Sequence, residues 1–121
     1  MADEARRRIL VVTDDDHVAT EAKFGLRGEV TRVDDARAAW RTLKRFTPAL
    51  VIVDLQTGSA GGFSLARDMA ADRRLARVPV LMLLERPQDA WLAAQAGASA
   101  HLVKPLAAAE LAAAVAGLLA A

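Results

Sequence analysis

The segment Leu50-Val51-Ile52-Val53-Asp54-Leu55 is a short apolar run that contains a single carboxylate near its end. Pro48 precedes this run, and a glycine-bearing loop follows it. Bulky apolar residues between such breakers predict a strand that is buried on both faces. A carboxylate is costly inside a buried strand, so we expect Asp54 at the carboxyl end, where open parallel α/β sheets bind their ligands. The alternative is an aspartate that merely caps the following loop.

Composition restricts the class of protein before any motif is considered. The 121 residues are 54% hydrophobic and 26% charged, which predicts one globular domain over residues 1–121. The net charge of +1 favours neither nucleic acid nor an anionic membrane as a direct partner. The chain has no cysteine and no apolar stretch of membrane-spanning length, and its charged N-terminus does not resemble a signal peptide. We therefore expect a cytoplasmic protein.

Further apolar runs lie on both sides of the central strand, at residues 9–12, 29–33, 79–84 and 101–103. The run 29–33 is the most polar of them and is expected at an edge of the sheet. Helices are predicted at about 17–24, 36–46, 62–73 and 87–97, and a last helix would bury Leu111, Val115 and Leu118. Trp91 is expected to be at least half-buried in its helix. Strands that alternate with helices in this way predict a parallel sheet covered on both faces.

Charged side chains lie at the ends of three predicted strands. Asp14 and Asp15 follow the first strand, Asp54 ends the third, and Lys104 follows the fifth. Parallel strands bring their carboxyl ends to one edge, so we expect these groups to meet there. Crowded carboxylates repel one another unless a cation offsets their charge, and Mg²⁺ prefers such oxygen ligands. A carboxylate beside Mg²⁺ and a lysine would act as a nucleophile toward a phosphoryl group and form an acyl phosphate.

Four segments carry a resemblance to a known family. They are Ile9-Leu10-Val11-Val12-Thr13-Asp14-Asp15, the Leu50–Leu55 run with Gly62-Phe63-Ser64-Leu65, Pro79-Val80-Leu81-Met82-Leu83, and the most specific one, Gln95-Ala96-Gly97-Ala98-Ser99-Ala100-His101-Leu102-Val103-Lys104-Pro105. Over essentially its full length the chain resembles the receiver domain of two-component response regulators. The resemblance implies a flavodoxin-like α/β fold, with a five-stranded parallel sheet in the order 2-1-3-4-5 and helices on both faces.

The resemblance also implies roles for individual residues. Asp54 would be the phosphoacceptor, and Lys104 would contact the phosphoryl group. Asp14 would be the principal Mg²⁺ ligand together with Asp54 and the backbone oxygen of Gln56, and Asp15 is a further candidate ligand. In the family the bond from this lysine to the following proline is cis.

Partners follow from the same resemblance. A sensor histidine kinase or a phosphotransfer protein would supply the phosphoryl group. A downstream protein target would bind the surface of the fourth helix, fifth strand and fifth helix, where a homodimer is also expected to form. The domain is not expected to be an enzyme, beyond catalysing its own phosphorylation and dephosphorylation.

Several positions depart from the family pattern. Thr13 replaces the first of two acids, and His101 replaces an aromatic switch residue. The fourth strand ends in Leu84 and Glu85, where the family has a Thr or Ser followed by a small residue, and residues 79–98 contain no Ser or Thr at all. The lost hydroxyl would donate a hydrogen bond worth about 1.5–3 kcal/mol to the phosphoryl group, as much as a typical allosteric coupling. Glu85 would repel that group if it points inward and would have no effect if it points to solvent.

These departures keep a second interpretation open. The chain would then be a pseudo-receiver, a module that binds proteins independently of phosphorylation. A small hydrolase or a flavin carrier on the same topology is a third class. It is disfavoured because Gln56 stands where such a phosphatase needs a second acid, and because acids follow the first strand in place of a glycine-rich phosphate loop.

Overall fold

The computed structural model describes residues 8–55 and 61–120, in which strands and helices alternate along the chain. The strands are β1 (Arg8–Val12), β2 (Glu29–Val33), β3 (Leu50–Asp54), β4 (Val80–Leu84) and β5 (Ala100–Val103). The helices are α1 (Asp16–Gly25), α2 (Ala36–Leu43), α3 (Gly61–Ala71), α4 (Ala90–Gln95) and α5 (Ala108–Ala120). Gln56 and the loop residues up to position 60 lie outside the described residues.

The strands form one parallel sheet in the order β2-β1-β3-β4-β5, which confirms the predicted fold class. Helices α1 and α5 pack on one face, where they bury Val18, Ala22, Leu111 and Val115. The other face is covered by α2, α3 and α4. Both faces of β3 and β4 are therefore buried, which explains why these strands consist almost entirely of apolar residues.

The bounds of two helices differ from the prediction. The single helix expected over residues 87–97 is a 3₁₀ turn at Pro87–Asp89 followed by the six-residue α4. Asp89 is buried and pairs with Arg86, and this local bond accompanies the tighter first turn. Helix α2 ends at Leu43 rather than near residue 46, because the chain leaves the helix in a turn after Lys44.

The prediction for Trp91 is wrong, because 63% of this residue is exposed. Helix α4 is short, and it turns Ala93 toward the core. Trp91 lies two residues before Ala93, about 200° around the helix axis, so it faces outward. The size of the side chain was a poor guide to its position on the helix.

Candidate functional site

Asp54 lies at the carboxyl end of β3 and is 1% exposed. Its Oδ2 atom accepts a hydrogen bond from Thr13 Oγ1 at 2.9 Å and another from Lys104 Nζ at 2.9 Å. A buried carboxylate needs partners of this kind, because burial removes the water that would otherwise solvate it. The sheet edge thus joins the ends of β1, β3 and β5 through one oxygen atom.

Thr13 follows β1 and is fully buried. Its backbone N–H donates to Val33 O at 2.9 Å, which fixes the residue against the end of β2. The hydroxyl accepts a hydrogen bond from the backbone N–H of Asp15 at 3.0 Å and donates its own proton to Asp54. The sequence identified Thr13 only as a departure from the family pattern. The position of Thr13 directly after a predicted buried strand was the feature of the sequence that indicated a structural role.

Lys104 follows β5, and its amine connects three carboxylates. Nζ lies 2.9 Å from Asp54 Oδ2, 2.8 Å from Glu85 Oε1 and 3.6 Å from Asp15 Oδ2. Burial alone would lower the pKa of this amine, but the hydrogen bonds to Glu85 and Asp54 outweigh that effect and raise the pKa above its ordinary value. The peptide bond from Lys104 to Pro105 is cis, as the resemblance implied.

Asp15 caps the amino end of α1, where its Oδ1 atom accepts a hydrogen bond from His17 N at 2.9 Å. Partial burial would raise the pKa of the carboxyl group, but this hydrogen bond and the charge of Lys104 lower it below the ordinary value. Asp14, the predicted principal metal ligand, is exposed at the same loop. Of the two aspartates, Asp15 is the one whose carboxylate forms an ion pair with Lys104.

Arg32 of β2 holds this loop against the sheet. Its Nε donates to Thr13 O at 3.2 Å, and its terminal nitrogen donates to Asp16 Oδ1 at 2.9 Å. The same guanidinium lies 3.4 Å from Asp34 Oδ1. Arg32 was not identified from the sequence, because nothing in a polar edge strand indicates which side chain reaches the neighbouring loop.

The residues at the end of β4 are among those expected to depart from the family pattern. Leu84 is fully buried, so an apolar side chain fills the position where the family places a hydroxyl. The side chain of Glu85 is 47% exposed, and its carboxylate turns toward Lys104. His101 in β5 is exposed. Glu85 therefore contacts the lysine of the site while about half of its side chain stays in solvent, an arrangement between the two orientations that the sequence left open.

A cleft of about 260 Å³ opens beside Lys104 and is lined by Asp15, His17, Glu85, Lys104 and Pro105. Within the described residues, no three His, Cys, Asp or Glu side chains form a group that would hold a metal ion. Mg²⁺ needs no such group, because one or two carboxylates with carbonyl oxygens and water suffice. Asp15 and Asp54 both bring carboxylate oxygens to Lys104 Nζ, and oxygen donors of this kind fit Mg²⁺ and not a softer metal.

A family model for the response regulator receiver domain matches residues 9–116. The chain belongs to this family. It is a receiver domain of the kind that operates in two-component signalling, and the match spans every strand except the first residue of β1.

Curated relatives agree with this assignment. The chain is 33% identical over 118 residues to the DNA-binding response regulator MtrA of Mycobacterium tuberculosis, covering 93% of this chain and 50% of MtrA. It is 34% identical over 109 residues to the gliding motility regulatory protein of Myxococcus xanthus, covering 85% of this chain and 14% of that protein. The chain thus spans half the length of MtrA and a smaller part of the second relative.

Solved structures share the receiver fold. A protein described as a response regulator from Chloroflexus aurantiacus has a TM-score of 0.89 and 28% identity, with coverage of 95% of this chain and 98% of that one. The receiver domain of the sensor histidine kinase PA1611 from Pseudomonas aeruginosa has a TM-score of 0.84 and 25% identity, with coverage of 97% and 100%. That structure has a magnesium ion in its active-site cleft. In the described part of the present receiver domain, no helix has the length and apolar character needed to cross a membrane.

Proposed function

We propose that this receiver domain accepts a phosphoryl group on the carboxylate of Asp54. The observation that carries the proposal is the contact of 2.9 Å between Lys104 Nζ and Asp54 Oδ2, in a buried position at the carboxyl edge of the sheet. The hydrogen bonds from Lys104 and Thr13 orient this carboxylate for nucleophilic attack.

The donor would be a phosphohistidine of a sensor kinase or of a phosphotransfer protein. An oxygen of the Asp54 carboxylate attacks phosphorus, a phosphorus–oxygen bond forms and the phosphorus–nitrogen bond breaks. The electron pair of the broken bond returns to the imidazole, which takes up a proton. Lys104 would neutralise the oxygens of the transferred group beside Asp54. Hydrolysis of the acyl phosphate would later restore the carboxylate.

Asp14, Asp54 and the backbone oxygen of Gln56 would hold Mg²⁺, with Asp15 as a further ligand. When bound, the ion supplies positive charge that neutralises the phosphoryl oxygens. Arg32 holds the loop that carries the two aspartates. It donates hydrogen bonds to Thr13 O just before them and to Asp16 Oδ1 just after them. The downstream partner would be a protein that binds the surface of α4, β5 and α5, and the same surface would serve a homodimer. We propose no direct contact with nucleic acid for residues 1–121 themselves.

A pseudo-receiver is the second candidate function, and two residues at the carboxyl end of β4 favour it. Leu84 offers no hydroxyl to a phosphoryl group, and Glu85 already occupies the Lys104 amine at 2.8 Å. In this second function the fold would present its surfaces to a partner without any change at Asp54.

Intact-mass spectrometry separates the two functions. The full chain is incubated with Mg²⁺ and a small acyl-phosphate donor, alongside D54N and a sample from which Mg²⁺ is removed by a chelator. We expect one added phosphoryl group on the wild type and none in either control. No addition to the folded wild type would contradict the proposal and favour the pseudo-receiver, and equal addition to D54N would contradict the assignment of Asp54 as the acceptor.

A further inference from the structure

Helix α2 and the turn after it carry an unusual concentration of positive charge. Residues 36–46 contain three arginines and one lysine and no acid, a net charge of +4 in a chain whose total is +1. The remainder of the chain therefore carries a net charge of −3. This segment, which has no acid, lies on the side of the sheet where β2 forms the edge.

Three of these side chains form what we call the α2 arginine row: Arg37, Arg41 and Arg45. Arg37 and Arg41 are four residues apart on α2, so they lie about one helical turn, or roughly 6 Å, apart, and Arg45 follows in the turn after the helix. All three are exposed. Within residues 8–55 and 61–120, none of them forms an ion pair with a carboxylate.

The row contrasts with other cations of the molecule. Arg8 pairs with Glu29, Arg32 pairs with Asp16 and Asp34, and Arg86 pairs with Asp89. Like charges one turn apart repel and destabilise a helix. The described residues place no carboxylate against these guanidinium groups, and an anionic partner would relieve their mutual repulsion.

The surface beside the row is concave and partly apolar. Arg41 and Arg45 flank a depression of about 380 Å³, whose other lining residues are Val33, Ala38 and Thr42. The Thr42 hydroxyl donates to Ala38 O at 3.1 Å, so it is already engaged within the helix. The depression therefore accepts a small apolar group, while the two guanidinium groups at its rim accept carboxylates.

We propose that the α2 arginine row is a docking surface for an acidic helix of a partner protein. The partner would carry carboxylates one turn apart with an apolar side chain between them, which matches the spacing of the row and the depression. Guanidinium groups bind carboxylates in a planar, bidentate manner. A nucleic acid fits less well, because the exposed Asp34 and Asp35 at the start of α2 would repel a continuing phosphate backbone.

This surface is separate from the phosphorylation site and from the surface of α4, β5 and α5. The strand order places β2 at one edge of the sheet and β5 at the opposite edge. A partner on α2 would therefore leave the α4, β5 and α5 surface accessible, so that two proteins could bind one receiver domain together.

Binding to a synthetic peptide tests the proposal. The probe is a helical peptide with glutamates one turn apart and a leucine between them, and the control peptide has glutamine in place of each glutamate. NMR titration of the full chain at low ionic strength should move the resonances of residues 33–45 with the probe and not with the control. A duplex DNA of random sequence is titrated in parallel.

Matched variants make the result specific. R41Q/R45Q removes two charges of the row, and R73Q/R77Q removes two exposed arginines elsewhere. We expect the peptide to bind R41Q/R45Q about tenfold more weakly and to bind R73Q/R77Q as it binds the wild type. The proposal is overturned if the peptide does not bind, if both variants weaken binding equally, or if DNA binds residues 33–45 more tightly than the peptide.

Discussion

The Lys104 amine lies 2.8 Å from Glu85 Oε1 and 2.9 Å from Asp54 Oδ2. A phosphoryl group on Asp54 would need the same amine, since Lys104 also donates to Asp54 Oδ2 at 2.9 Å. Glu85 is thus a carboxylate that belongs to the chain and competes with the transferred group for one cation. Its side chain is 47% exposed, so it can rotate into solvent and release the lysine.

Removing the charge of Glu85 should therefore speed phosphorylation. We expect E85Q to react with a small phosphodonor about two- to fivefold faster than the wild type, the range that corresponds to an exposed ion pair. Intact mass as a function of time gives the rate. E110Q, which changes an exposed acid on α5, is the control and should react like the wild type. A slower or unchanged rate for E85Q would show that Glu85 does not compete for Lys104.

The Thr13 hydroxyl should be important for stability. The near-isosteric T13V leaves Asp54 without one hydrogen bond and the N–H of Asp15 without its acceptor. We expect the free energy of unfolding to fall by about 1–2 kcal/mol. T20V is the control, because Thr20 is exposed on α1, and it should change this free energy by less than about 0.5 kcal/mol. Urea denaturation measures both, and equal values for T13V and T20V would contradict the assigned role.

Lys104 and Asp54 should be energetically coupled. K104M leaves a buried carboxylate without its cation, and we expect it to lower the free energy of unfolding by about 1–3 kcal/mol. In D54N/K104M the buried charge is gone as well, so part of that loss should be recovered. A double-mutant cycle with D54N gives the coupling free energy. Additive effects within about 0.3 kcal/mol would mean that the contact of 2.9 Å stabilises nothing.

Acid should weaken the contribution of Asp15. Its pKa is lower in the folded protein, so it favours folding above the ordinary value of 3.8, and this contribution is lost as the pH falls through the folded value. Lys104 has a raised pKa, so its contribution is present below 10.5 and disappears only at higher pH. We expect the difference in unfolding free energy between the wild type and D15N to narrow as the pH falls below about 4. Asparagine keeps the cap, and a constant difference would contradict the ion pair.

Much of the fold could be predicted because it depends on short-range patterns. The apolar run Leu50–Asp54 is buried along its full length, and the polar run Glu29–Val33 lies at an edge of the sheet. Asp54 and Lys104 were expected to meet because parallel strands end at one edge, and this requires no knowledge of side-chain conformation. The strand order came from the family resemblance.

The remaining features depend on contacts between distant residues. The bond from Thr13 to Asp54 joins positions 41 residues apart, and a threonine in the sequence does not show which group its hydroxyl meets. Glu85 follows β4 and its orientation depends on the contact with Lys104, which follows β5. Trp91 is exposed because it lies two residues before the buried Ala93, on the opposite side of α4, and apolar content alone did not show which side faces the core.

Borohydride trapping tests the central claim most directly. Borohydride reduces an acyl phosphate to an alcohol, so a phosphorylated aspartate becomes homoserine at a position that peptide sequencing by mass spectrometry identifies. After incubation of the full chain with Mg²⁺ and a small phosphodonor, we predict homoserine at position 54. Homoserine at Asp14 or Asp15, or no reduced residue in the folded wild type, would contradict the assignment of Asp54 as the phosphoacceptor.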